Sequence, residues 1–154
     1  MSKPKKRPLP DIVKMVERVI KDLELSPSEC RLSTDDPAWG LAKGSAEVFV
    51  FINPGEPDQG DEFFIQCISP VMKLPKSEHN RNALLHKLLQ LNAEELAGAA
   101  FGLKGEDTVV LIADRSTIDL DPSEVKDMVL RVGYYADVYD DQLVNEFGGK
   151  RHSD

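Results

Sequence analysis

Hydrophobic positions along this chain change their spacing several times, and each change marks an element. From Asp11 to about Leu25 the apolar residues Ile12, Val13, Met15, Val16, Val19, Ile20 and Leu23 fall on one helical face, with Lys14, Glu17, Arg18 and Lys21 opposite. Pro10 before this helix and Ser26-Pro27 after it set its ends. Residues 26–38 read as a loop. The period then shortens to two: Ala46, Val48, Val50 and Ile52 alternate with Glu47, Phe49 and Phe51, which predicts a strand over Ser45–Ile52. Asn53-Pro54-Gly55 breaks it, and a turn-rich acidic loop runs to Gly60. Asp61–Ser69 alternates again, and a shorter strand over Trp39–Ala42 completes a three-stranded meander. Pro70 and Pro75 close that unit.

A second helix is predicted over Asn80–Asn92. Leu84, Leu85, Leu88, Leu89 and Leu91 cover an arc of about 160° on it, more than one packing surface needs. Ala99–Leu103 and Thr108–Ala113 form a hairpin around Lys104-Gly105-Glu106-Asp107. The last helix starts at Asp121-Pro122 with Glu124 completing a box-like cap, and a stripe from Val125 to Phe147 ends at Gly148-Gly149. Gly133 in its middle suggests a bend. The order is helix, three strands, helix, two strands, helix. Clustered strands between helices predict an α+β fold with a mostly antiparallel sheet.

Composition narrows the class. A length of 154 residues suits one domain, and 41% hydrophobic with 30% charged residues lies outside the range of disordered chains. No apolar run is long enough for a transmembrane helix, and the basic start lacks an apolar stretch after it, so a cytoplasmic protein is expected. Residues 1–10 hold Lys3, Lys5, Lys6 and Arg7 without an acid, and read as a flexible basic arm. The other 144 residues hold fifteen basic and 27 acidic side chains, a charge of −12. Such a body repels nucleic-acid phosphates, and neither nucleic acid nor membrane is an expected partner. Residues 11–147 form the expected domain, with 148–154 a disordered tail.

Candidate chemistry is sparse. Cys30 and Cys67 have no metal or redox spacing. His79 and His86 lie two helical turns apart, roughly 10 Å, too far to share one metal, and His152 is in the tail. No nucleophile elbow, phosphate loop or dinucleotide fingerprint is present; Gly102-Leu103-Lys104-Gly105 joins two strands and reads as a hairpin turn. Asp119, Asp121 and Glu124 lack the rest of a calcium loop, and capping accounts for the last two. No catalytic residue, metal or cofactor is therefore expected. Asp137, Asp140 and Asp141 form an acidic cluster on the last helix, read as a solvated face or as an anionic patch for a basic segment.

In their order and spacing, several stretches resemble a known family. They are Gly44-Ser45-Ala46, Ile68-Ser69-Pro70-Val71, Leu84-Leu85-His86-Lys87-Leu88-Leu89-Gln90-Leu91-Asn92, Ala100-Phe101-Gly102-Leu103 and Ala136-Asp137-Val138-Tyr139-Asp140-Asp141. The chain resembles the YbjN-like bacterial proteins and the class I (CesT-type) type III secretion chaperones. The resemblance implies a non-enzymatic, dimeric module that holds an extended segment of a partner protein, such as a secreted effector. It implies an alternative too: a YbjN-like regulatory or sensory domain for a small ligand or a signalling partner. On the chaperone reading Leu84, Leu85, Leu88, Leu89 and Leu91 form a homodimer interface. Phe49 and Phe51 anchor the partner, and Asp137, Asp140 and Asp141 steer it.

Overall fold

The computed structural model describes residues 3–55 and 62–154; most of the loop to Gly60 and Asp61 lie outside the described residues. Helix α1 spans Leu9–Asp22, starting two residues before Asp11 because Pro10 fits the first turn, where its missing N–H costs nothing. It stops at Leu23, whose N–H bonds the Val19 carbonyl, and Glu24 turns left-handed at φ 63°. The expected loop contains one helical turn, α2 (Pro27–Cys30). Strands β1 (Ala38–Lys43), β2 (Ala46–Pro54) and β3 (Phe63–Lys73) form the meander. Helix α3 covers Glu78–Glu94, β4 Ala100–Lys104, β5 Thr108–Ser116 and α4 Pro122–Phe147. A two-residue strand, β6, lies at Lys150–Arg151.

The described strands make one antiparallel sheet in the order β1-β2-β3-β5-β4, with β6 on β3. Meander and hairpin are thus joined through β3 and β5, from Phe64 opposite Ser116 to Lys73 opposite Thr108. Pro70 does not end β3 as its position suggested. The β2 ladder stops at Ile68, Ser69 Oγ donates to the Glu47 carbonyl at 2.8 Å where Pro70 has no N–H to offer, and a bulge between Pro70 and Met72 shifts the register with β5.

Helices α1 and α4 cover one face. Ile12, Val16, Val19 and Ile20 from α1 and Val125, Val129, Val132, Ala136 and Leu143 from α4 bury Trp39, Leu41, Val48, Val50, Ile65, Cys67 and Leu111. Gly133 permits this approach: a Cβ there would lie 2.8 Å from Lys43 Cγ and 3.3 Å from Val48. Helix α3 sits at the β4 end and packs on α4 and β4.

Both chain ends make specific contacts with the rest of the fold. The Lys5 N–H donates to Asp119 Oδ1 at 2.7 Å, the Asp119 N–H returns to the Lys5 carbonyl, and Arg7 Nε reaches the Leu120 carbonyl. The basic segment is pinned at these points, although residues 3–8 have no regular structure. The expected disordered tail adds β6 opposite Met72 and Lys73, and its Arg151 bonds both Asp141 and Asp154.

Candidate functional site

Because side chains alternate along a strand, the sheet has a second face that α1 and α4 do not cover. Phe49 and Phe51 of β2 stand on it, both half-buried. Their rings are stacked with centres 6.3 Å apart. Phe49 is opposite Ile68, which is opposite Ile112, so an apolar row crosses three strands. Gly40 faces Phe49 from β1, and a Cβ on it would meet the ring at 3.4 Å; glycine lets the ring lie over the strand. Leu32, Phe49, Phe51, Ile68, Pro70 and Val110, with Thr108 and Lys104, line an open cavity of about 270 Å³. At its rim the Lys104 ammonium lies 5.8 Å from the centre of the Phe51 ring.

A second groove of about 340 Å³ lies between α3 and β4, lined by Leu85, Leu88, Leu89, Asn92, Phe101, Gly102 and Leu103. The five leucines expected at a dimer interface divide here. Leu84, Leu88 and Leu91 are buried inside the chain, Leu85 is half-buried, and only Leu89, at 71%, is exposed. The wide arc arises because α3 packs against both α4 and the sheet edge. Leu103 of β4, 47% exposed, extends the remaining surface.

Asn92 spans the same groove with a paired contact. Its Nδ2 donates to the Phe101 carbonyl at 3.1 Å, and its Oδ1 accepts from the Phe101 N–H at 2.7 Å. The side-chain amide thus stands in for a neighbouring strand at Phe101, near the start of edge strand β4, satisfying groups that would otherwise invite pairing.

The acidic cluster is engaged within the fold. Asp137 Oδ1 accepts from the Ser45 N–H at 2.9 Å and from Ser45 Oγ at 2.6 Å. Those bonds, with Lys43 nearby, hold its carboxyl below the usual range. Asp140, only 6% exposed, also contacts Ser45 Oγ, and Asp141 pairs with Arg151. The cluster fixes the β1–β2 turn, where Gly44 adopts φ 61°, and the C-terminal strand onto α4. Asp137 and Asp141 remain exposed while making these bonds.

Elsewhere the chemistry is quiet. Both cysteines are free; Cys67 is buried, which pushes its thiol up to about 12 and makes it a small hydrophobe. Among the described residues no group of three or more His, Cys, Asp or Glu could hold a metal ion, and no helix is long and apolar enough to cross a membrane. Sequence reading placed Phe49 and Phe51 on one side of β2 but missed Leu32, Thr108, Val110, Lys104 and Asn92. Alternation along β5 puts Val110 and Ile112 on one side, yet only the β3–β5 register brings that side beside Ile68.

A sheet with one face under helices and an apolar cavity on the other, plus a flanking helix at one edge, defines a class of protein. Residues 10–154 match the family TY-Chap1, described as T3SS (YopN, CesT) and YbjN peptide-binding chaperone 1, and the chain belongs to it. The fold is also that of a chain in the crystal structure of the ExsC–ExsE complex, with a TM-score of 0.56 over 87% of this chain and 94% of that one. Identity between the two is 13%, so the likeness concerns the fold. Among curated proteins none matches this sequence. The family resemblance and the α+β fold read from the sequence both stand.

Proposed function

We propose that this chain is a non-enzymatic chaperone module that holds an extended segment of a partner protein on its open sheet face. The observation that carries the reading is the apolar row through Phe49, Ile68 and Ile112, with Phe51 stacked beside Phe49. An extended segment presents every second side chain to such a surface, and aromatic anchors in a shallow cavity supply contact area at low entropic cost. Membership of a peptide-binding chaperone family supports this reading, and the partner would be a secreted effector segment or another protein that must be kept extended. The working unit is a homodimer, joined through Leu85, Leu89 and Leu103, since an apolar groove with two exposed leucines is the kind of patch a two-fold contact buries.

The test uses short labelled Ser/Gly peptides carrying Val and Phe at alternate positions, read by fluorescence anisotropy. The wild type binds them, and Phe49→Ser/Phe51→Ser folds but does not. Equal binding by that folded variant would place the partner surface elsewhere. If the variant unfolds, the milder Phe49→Leu/Phe51→Leu should keep the fold and weaken binding, and undiminished binding would count against the proposal.

A further inference from the structure

The open face is not uniformly apolar, and its polar groups are unevenly matched. Lys73 and Lys104 both stand opposite Thr108, on β3 and β4. Lys73 is held by Asp107 at 3.1 Å. Lys104, which lines the cavity, makes no ion pair among the described residues; its ammonium rests against the Phe51 ring at 5.8 Å. An exposed cation over an aromatic ring is weakly held, and an ammonium on a flexible stem moves readily to a better partner.

We propose that Lys104 makes this face selective for segments that carry a carboxylate beside their apolar anchor, a refinement that rests on the peptide-binding reading above. A segment seated over Phe51 would exclude water around Lys104 and leave its charge short of hydration unless the segment brings an acid. A carboxylate there forms a charge-assisted hydrogen bond in a partly dry setting, where such bonds are strong. Glu47 lies two residues before Phe49 on the same side of β2, so an acid is disfavoured at that end of the face. The acid of a bound segment is therefore placed beside the Lys104 ammonium over Phe51, which gives the segment a direction as well as a preference.

The experiment extends the peptide series. Three versions place Asp, Asn or Lys two residues after the Phe, and each is titrated against the wild type, Lys104→Met and Lys104→Glu at low and at moderate salt. Lys104 is exposed, so all three proteins are expected to melt alike. The wild type should bind the Asp peptide about tenfold more tightly than the Asn peptide. That preference should shrink as salt rises, vanish in Lys104→Met, and pass to the Lys peptide in Lys104→Glu. Equal affinity of the wild type for the Asp and Asn peptides would overturn the role of Lys104 while leaving the peptide-binding reading in place. An Asp preference that persists in Lys104→Met would do the same. If the wild type binds none of the three, the open-face reading itself fails, and this inference with it.

Discussion

The Lys104 ammonium lies 5.8 Å from the centre of the Phe51 ring although β3 and β5 separate their strands. In a flat sheet three interstrand spacings alone would set their backbones roughly 14 Å apart. The two groups meet because strong right-handed twist curls opposite corners of the sheet toward each other. That curl turns these side chains, Ile68 and Val110 buried and Phe49 and Phe51 half-buried, into a cradle.

The contact between α4 and the β1–β2 turn should be measurable as stability. Asp137→Asn is expected to cost about 1 kcal/mol at neutral pH, the net value of hydrogen bonds made at an exposed site. The wild-type carboxyl titrates below its ordinary 3.8. Its contribution is therefore full above that value and fades as pH falls through the lowered one. Thermal melts of both proteins should differ at neutral pH and converge in acid; a constant gap would show that the ionised carboxylate is not the source.

Asn92 guards an edge strand. Asn92→Ala strands the Phe101 N–H and carbonyl in a part-buried groove and should cost about 1–3 kcal/mol. The same variant should also aggregate more readily on warming, because β4 regains an unpaired edge. Light scattering during a melt checks both effects, and a variant as soluble and stable as the wild type would contradict the assigned role.

Removing residues 150–154 should lower the melting temperature by a few degrees, because β6 and the bonds from Arg151 to Asp141 are lost together. An unchanged melt would return this segment to the status of a passive tail.

The association surface is tested by Leu89→Lys/Leu103→Lys. Both side chains are exposed in the single chain, so the variant should fold normally. Light scattering on a sizing column should give a dimer mass for the wild type and a monomer mass for the variant. A monomeric wild type at micromolar concentration would remove the dimer from the account.

Periodicity located the six long elements, α1, β2, β3, α3, β5 and α4, within a few residues of their ends, since each spans enough turns or pleats to show its pattern. What it did not show depends on contacts far apart in sequence. Leu84, Leu88 and Leu91 share an arc with Leu85 and Leu89, and only the position of α3 against α4 and β4 divides them into core and surface. Asp137, Asp140 and Asp141 look like a free acidic face on a helix until Ser45 and Arg151 are brought beside them. Tail residues 150–151 are too few to carry a pattern, and β3 alone determines their pairing. Phe49 and Phe51 were legible as a pair, but the cavity beside them draws on Leu32, Val110 and Lys104, from three other segments.

The central claim is that the uncovered sheet face, and not the helical side, receives an extended segment. Chemical-shift mapping on isotopically labelled protein, titrated with the Asp-bearing Val/Phe peptide, tests it most directly. The largest shifts are expected at Phe49, Phe51, Ile68, Val110 and Lys104, with Tyr134, Val138 and the exposed positions of α1 unmoved. Shifts concentrated on α1 and α4, with the β2 phenylalanines silent, would contradict it.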